Sequence, residues 1–350
     1  MTTKARVKIL PLMAVGALAL GVAACGSGGG SGEGLTGELT AAGASFPDAF
    51  YQDVIGKYLD NEAPDANIEY DPTGSGTGKE KFSEDLVDFA GTDSLVSDED
   101  GIEADSFYYV PTVAAPITIP YNLKDVKELK LSPDTLADIF QAKITKWNDP
   151  AIAKDNPDAK LPSTEITVAH RSDGSGTTSN FTTYLDDASD KWKLGAGDTV
   201  EWPKNSKAGE KNTGVADIVK KTEGAIGYVD LADATELKLT PAQIKNKDGE
   251  FVEPTLEAAT AALEGAEVNE DLSYNPLNAT GAEAYPITAP TFLLVKAEYD
   301  DAEKGKLVKG FVEYVLTDGQ KAAEDNNFAP LPKELADKAL KQLDKVKTKK

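Results

Sequence analysis

Residues 171–181 read RSDGSGTTSNF, an arginine and an aspartate followed by a run of glycines and hydroxyls. Two other stretches share the design. Ala41-Ala42-Gly43-Ala44-Ser45-Phe46-Pro47 leads into an amphipathic segment, with Pro47 suited to a first helical turn. Asp71-Pro72-Thr73-Gly74-Ser75-Gly76-Thr77-Gly78 leads into another. Each places Ser or Thr beside glycine where a helix would start. The unpaired N–H groups and the positive dipole end of such a start attract anions. Glycine lets the backbone approach closely, and hydroxyls donate without adding charge. Any one such run is ordinarily a cap or a turn. Three in one chain, one of them beside an arginine, point to an oxyanion.

The same residues exclude several reactions. GSGTGKE at 74–80 falls short of a nucleotide-binding P-loop, which would need glycine at 73 and Ser or Thr at 80 where Thr73 and Glu80 stand. No GxGxxG is present, because Gly174-Ser175-Gly176 is followed by Thr177, Thr178 and Ser179. His170 is the only histidine, so any Ser-His-Asp centre would have to use it. No GxSxG elbow accompanies it, and one histidine cannot build a multi-histidine zinc site. A histidine at a strand end beside an ordered loop is read as structural. Ser97-Asp98-Glu99-Asp100 reads as an acidic helix start rather than a cation site. The sequence therefore offers a place to hold an anion, no reaction centre, no metal site and no cofactor.

The elements around these loops alternate between short apolar strands and amphipathic helices. Strands are expected at Ile68–Tyr70, Val87–Ala90, Tyr109–Tyr121, Ile166–Ala169, Ala225–Val229 and Phe292–Val295. Helices are expected at Pro47–Leu59, Thr77–Leu86, Pro133–Phe140, Thr177–Leu185, Val215–Lys220, Leu256–Leu263, Ala302–Leu316 and Lys333–Leu343. The last is strongly charged and is expected on the surface. Such alternation argues for α/β domains with open sheets, which bind ligands where strands end and helices begin.

The N-terminus reads as an export signal. Lys4, Arg6 and Lys8 precede an uncharged, mostly apolar run of 16 residues from Ile9 to Ala24, then Cys25. That run is too short to span a bilayer comfortably and suits a signal-peptide core. Val22-Ala23-Ala24-Cys25 resembles a bacterial lipobox, which makes Cys25 the expected acylated N-terminus and membrane anchor. Residues 1–24 are then the signal peptide and 25–35, containing GSGGGSGEG, a flexible tether. As the only cysteine, Cys25 permits no intrachain disulfide. The mature chain would carry 33 Lys plus Arg against 59 Asp plus Glu, formally −26. That balance argues against nucleic acid as a partner.

Longer motifs carry a family resemblance. Ala42-Gly43-Ala44-Ser45-Phe46-Pro47, Gly74-Ser75-Gly76, Asp88-Phe89-Ala90-Gly91-Thr92-Asp93 and Arg171-Ser172-Asp173-Gly174-Ser175-Gly176-Thr177 resemble the bacterial phosphate-binding proteins of the PstS family. KITKWNDPAIAKDNP at 143–157, EGAIGYVD at 223–230 and YPIT at 285–288 agree, in order, over about 36–330. Members of that family are the extracytoplasmic binding components of a phosphate ABC importer. The resemblance implies a two-lobed periplasmic-binding-protein fold of type 2, with mixed open sheets flanked by helices and the ligand in the interlobe cleft. It implies phosphate donors at Ser45, the Phe46 amide and Ser75 from one lobe. From the other it implies Arg171, Ser175, the Gly176 amide and Thr177, with Asp173 holding Arg171. Ser45 stands where many relatives have threonine, and the stretch 72–78 departs most from the family pattern.

Asp93 would be the exception among the donors, accepting a hydrogen bond from the ligand. Phosphate near neutral pH keeps a proton and sulfate does not, so a buried carboxylate accepts from the first and repels the second. The implied lobes are 36–115 with 290–350, and 116–289, with crossings near 112–118 and 284–292. The implied partners are inorganic phosphate and the permease subunits of the importer, with the binding protein itself a monomer. Two rivals share this fold: a phosphate-ester hydrolase, and a phosphate sensor or adhesin that does not transport.

Overall fold

The computed structural model describes residues 35–349. The signal peptide, Cys25 and all of the tether but Leu35 lie outside the described residues. From Thr36 the chain forms β1 (Thr36–Gly43), α1 (Asp48–Asn61), β2 (Asp65–Asp71), α2 (Ser75–Ser83), β3 (Phe89–Thr92) and the long β4 (Phe107–Thr118). Next come β5 (Pro120–Tyr121), β6 (Lys130–Leu131), α3 (Pro133–Phe140), α4 (Pro150–Asp155), β7 (Thr167–Arg171), α5 (Gly176–Ala188), β8 (Lys207–Gly209) and α6 (Lys211–Lys221). β9 (Ala225–Ile226), β10 (Val229–Asp230), α7 (Leu231–Glu236), β11 (Thr240–Pro241), β12 (Gln243–Lys245), β13 (Phe251–Val252) and α8 (Leu256–Glu264) follow. The chain ends through β14 (Thr288–Lys296), β15 (Glu298–Tyr299), α9 (Ala302–Leu316), β16 (Ala329–Pro330), α10 (Lys333–Leu343) and β17 (Lys347–Thr348).

Two sheets carry the architecture. The first has seven strands in the order β10-β4-β14-β3-β1-β2, with β16 also on β4. β1 pairs parallel with β2 and β3, whereas β14 runs antiparallel between β3 and β4. The second has five strands in the order β11-β5-β9-β7-β8, with β7 parallel to β8 and β9. The expected strand Tyr109–Tyr121 is interrupted at Ile119: β4 belongs to the first sheet and β5 to the second. Ala225–Val229 divides likewise at Gly227-Tyr228, β9 joining the second sheet and β10 the first. An apolar run reveals burial but not a change of sheet within it.

Helix ends follow their local chemistry. α3 begins with Pro133 after Ser132, and α9 begins after Asp301, whose carboxylate accepts the amides of Glu303 and Lys304. The strongly charged α10 is not wholly superficial. Leu335, Ala336, Ala339 and Leu343 are buried along one face, and the Gln342 amide donates to the Tyr109 carbonyl at 2.7 Å. Its charges occupy the opposite side, the ordinary pattern of an amphipathic helix. A smaller apolar cluster of Ala169, Val215, Ala216, Val219 and Ala225 seats α6 on β7 and β9. Among the described residues no helix is long and apolar enough to cross a membrane.

Candidate functional site

Three strand-to-helix turns and one strand end build the site. β1, β2 and β3 are parallel neighbours, so their carboxyl ends lie along one edge of the first sheet. Ser45 follows β1, Ser75 opens α2 after β2, and Asp93 follows β3. The ends are tied together by backbone: Gly74 donates to the Gly43 carbonyl at 2.7 Å and Ala44 to that of Gly91 at 2.9 Å. The fourth piece comes from the second sheet, where β7 ends at Arg171 and α5 starts at Gly176. Ser175 caps α5, its hydroxyl accepting the Thr178 amide at 3.1 Å.

The two sheets meet through glycine. The Gly76 amide donates to the Gly174 carbonyl at 3.2 Å. Gly74 has φ +97°, and a Cβ there would lie 2.6 Å from the Gly174 carbonyl oxygen. A Cβ on Gly176 would lie 2.5 Å from Ser75 Oγ and 2.7 Å from Asp93 Cβ. The first turn of α5 therefore rests directly on Ser75 and Asp93. The Asn180 side chain extends the contact, donating to the Asp93 carbonyl at 2.6 Å and to that of Gly176 at 2.9 Å.

Asp93 is 3% exposed, and burial pushes its carboxyl up to about 7 against the opposing pull of Thr291 and Arg171. Its amide donates to Ser75 Oγ at 3.1 Å, and the same hydroxyl lies 3.4 Å from Oδ2. Asp93 Oδ1 is buried with no protein hydrogen-bond partner, and so are Ser45 Oγ and Thr73 Oγ1. Such groups ordinarily have partners, because leaving one unpaired costs about 1–3 kcal/mol. Three of them fall in the turns after β1, β2 and β3, which the backbone ties together.

Arg171 is held from two sides. Its Nε donates to Asp173 Oδ1 at 2.9 Å and its Nη2 donates to Oδ2 of the same carboxylate. Burial acts to raise Asp173, but these hydrogen bonds outweigh it and keep the carboxyl below its usual range. Nη1 donates to Asn212 Oδ1 at 2.8 Å. Asn212 in turn donates to Asp230 Oδ2 at 2.7 Å and to the Thr177 hydroxyl at 3.3 Å. The Arg171 amide donates to the Tyr228 hydroxyl, which also lies 2.7 Å from Thr178 Oγ1. Arg171, Ser175 and Thr177 are all buried.

Ser75, Asp93 and Gly176 thus touch across the cleft, Arg171 and Thr177 share Asn212, and Ser45 joins through the backbone of the β1 and β2 turns. The Phe46 ring is buried and packs edge-on against Phe328 at 5.6 Å. Asn212, Tyr228, Asn180 and Thr73 were not nominated from sequence. Thr73, Asn180 and Tyr228 lie inside motifs the sequence displays, at 71–78, 171–181 and 223–230, whereas Asn212 has no local signal. His170 stacks on Trp202 at 5.1 Å with its Nδ1 2.8 Å from the Arg171 carbonyl, and burial lowers its basicity. Ser97 and Asp100 form a reciprocal capping box, as an acidic helix start should. No group of three or more His, Cys, Asp or Glu is placed to hold a metal ion among the described residues.

Comparison with known proteins bears on the same stretch of chain. A family model for the PBP superfamily domain matches residues 28–319. The phosphate-binding protein PstS of Methanocaldococcus jannaschii is 38% identical over 336 residues, covering 88% of this chain and 86% of its own. That of Xylella fastidiosa is 36% identical over 304 residues, covering 85% and 82%. The solved phosphate-binding protein from Stenotrophomonas maltophilia superposes with a TM-score of 0.66 at 25% identity, covering 87% of this chain and 93% of that one. A high-affinity periplasmic phosphate-binding protein solved with phosphate at pH 8.5 shares the fold with a TM-score of 0.69, at 22% identity and coverages of 86% and 92%. The fold is the type 2 periplasmic-binding-protein fold, and the chain belongs to the PBP superfamily and, within it, to the PstS phosphate-binding proteins.

Proposed function

We propose that the protein binds inorganic phosphate outside the cytoplasm and delivers it, chemically unchanged, to the permease of an ABC importer. Asp93 carries this reading: a buried carboxylate with an unpaired oxygen, set among uncharged donors and one arginine. A fully deprotonated anion facing it would meet repulsion; hydrogen phosphate supplies the hydrogen that Oδ1 lacks. Ser45, the Phe46 amide and Ser75 donate from a lobe of residues 36–115 and 290–350. Arg171, Ser175, the Gly176 amide and Thr177 donate from a lobe of residues 116–289. Asp173 and Asn212 fix the guanidinium so that little ordering entropy remains to be lost on binding.

Closure about the crossings near 112–118 and 284–292 excludes water and presents both lobes to the permease. Neutral donors and helix starts suffice for this, so a mature charge of −26 is no obstacle. Binding without turnover is supported by His170, which is engaged with Trp202 and the Arg171 carbonyl and offers no base to a bound ester. Cys25 tethers the mature monomer to the outer face of the membrane. Calorimetric titration of the mature domain, stripped of carried-over phosphate, tests the reading. One phosphate per chain and no heat with sulfate are expected, and a stripped domain that ignores phosphate refutes it.

A further inference from the structure

Lys79 lies in the second turn of α2, with 4% of its side chain exposed. Its Nζ is 3.1 Å from both Asp100 Oδ1 and Asp198 Oδ2, and 3.4 Å from the Leu95 carbonyl. The two carboxylates come from different places. Asp100 follows β3 and is fixed locally, accepting the Ser97 amide at 2.7 Å and the Ser97 hydroxyl at 2.9 Å. Asp198 lies between α5 and β8, and its carbonyl accepts the amide of Ser175, the cap of α5, at 3.0 Å. One ammonium therefore joins the helix that begins with Ser75 to the segment that holds Ser175.

Its chemistry suits a contact that makes and breaks. Asp100 alone can keep Lys79 paired when Asp198 leaves, so separation strands no buried cation. When Asp198 returns, the pair is 4% and 19% exposed by side chain and only weakly screened by salt. The three atoms touch none of the unpaired oxygens of Ser45, Thr73 and Asp93; the Asp198 charge reaches Asp93 only at longer range, where it helps raise that carboxyl, an influence that disappears once Asp93 is ionised.

We propose that Lys79 and Asp198 form a clasp that sets how long the bound anion stays, without choosing which anion binds. This rests on the phosphate-binding reading above. Loss of one partly buried ion pair predicts that Asp198→Asn releases phosphate about tenfold faster, association changing by less than about twofold. At pH 8.5, where Asp93 is ionised with or without Asp198, the phosphate-over-sulfate preference stays as in the wild type, and Asp198→Glu, which keeps the charge, recovers part of the lost residence time.

Stopped-flow release and association, with small-angle scattering of the stripped and phosphate-saturated proteins, test this. An unchanged release rate in Asp198→Asn, or an altered phosphate-over-sulfate preference at pH 8.5, overturns the clasp. Wild-type protein that binds no phosphate instead overturns the functional reading. Scattering then still decides the clasp: a larger radius of gyration in Asp198→Asn than in wild type upholds it, and equal radii reject it.

Discussion

The Ser75 hydroxyl accepts the backbone amide of Asp93 at 3.1 Å and sits 3.4 Å from the carboxylate of the same residue. One oxygen thereby fixes the end of β3 against the start of α2, leaving Oδ2 beside a hydroxyl and Oδ1 without a protein partner. The orientation of Asp93 is set before any ligand arrives, which is what a discriminating acceptor requires.

Replacing Asp93 by asparagine keeps the shape and turns an acceptor-only group into one that can also donate. Asp93→Asn should weaken phosphate binding and admit sulfate, reducing the ratio of the two affinities by on the order of 10³–10⁴. Competition titrations of both ions against wild type measure that ratio; an unchanged ratio removes Asp93 from the selectivity argument.

The pH dependence has a definite sign. Burial raises the Asp93 carboxyl from 3.8 to about 7. The native state therefore holds a proton that the unfolded chain releases between those values. Its contribution to stability is fully present below about pH 4 and is lost as pH rises through about 7, on the order of 4 kcal/mol at most. Chemical denaturation of stripped protein at pH 5 and pH 8.5 should show a larger loss in wild type than in Asp93→Asn, which keeps the raised carboxyls of Asp230 and Asp233. The same protonation gives wild-type protein a donor at this position below about pH 7, so sulfate binding should grow as pH falls.

Asn212 is the hub behind the arginine. Asn212→Ala leaves Arg171 Nη1, Asp230 Oδ2 and the Thr177 hydroxyl without the partner they share. A loss of about 2 kcal/mol in stability and of roughly tenfold in phosphate affinity is expected. Denaturant melts and calorimetry on one preparation separate the two effects, and normal affinity would show that Asp173 alone positions Arg171.

Two glycines should fail differently. A Cβ on Gly78 would lie 2.4 Å from Gly43 Cα, within a single sheet-and-helix layer that cannot move apart, so Gly78→Ala should cost about 3 kcal/mol of stability. A Cβ on Gly176 would instead strike Ser75 Oγ, Asp93 Cβ and the Ser94 amide, all on the opposite side of the cleft. Gly176→Ala should melt no lower than wild type, alanine being the better helix former, yet lose phosphate binding by more than about a hundredfold. Equal damage to folding and binding in both variants would contradict this division.

The binding turns were legible because their function needs a local composition: glycine for close approach, hydroxyls as donors, a helix immediately after. The bounds of α3 and α9 were legible for similarly local reasons, Pro133 at one start and Asp301 at the other. β1 was not recognised as a strand. Gly37, Ala41, Ala42 and Gly43 give it little intrinsic strand preference, and its conformation is imposed by β2 and β3 on either side. Asn212 and Tyr228 have roles that are not legible locally, for another reason. They stand 41 and 57 residues from Arg171, and only the seating of α6 on β7 and the end of β9 bring them to it. The change of sheet at Ile119 was invisible because both sides of the break are equally buried.

The position of β14 has a consequence for how the molecule assembles. β14 lies between β3 and β4 and, among the described residues, is the only strand joining the β1-β2-β3 half of the first sheet to β4. That sheet cannot close until residues 288–296 are present, and it must bridge the whole intervening chain to do so. The second sheet draws all its strands from 120–241, with no such wait. Loop-closure entropy favours the nearer pairings first, so β1 with β2 and β7 with β8 organise before β14 joins β3 to β4. Pulsed hydrogen exchange during refolding should protect β1 and β2 ahead of β14. The turns of Ser45, Ser75 and Asp93 all precede β14, so a chain interrupted short of it carries both sets of binding turns and lacks the strand that fastens β3 to β4.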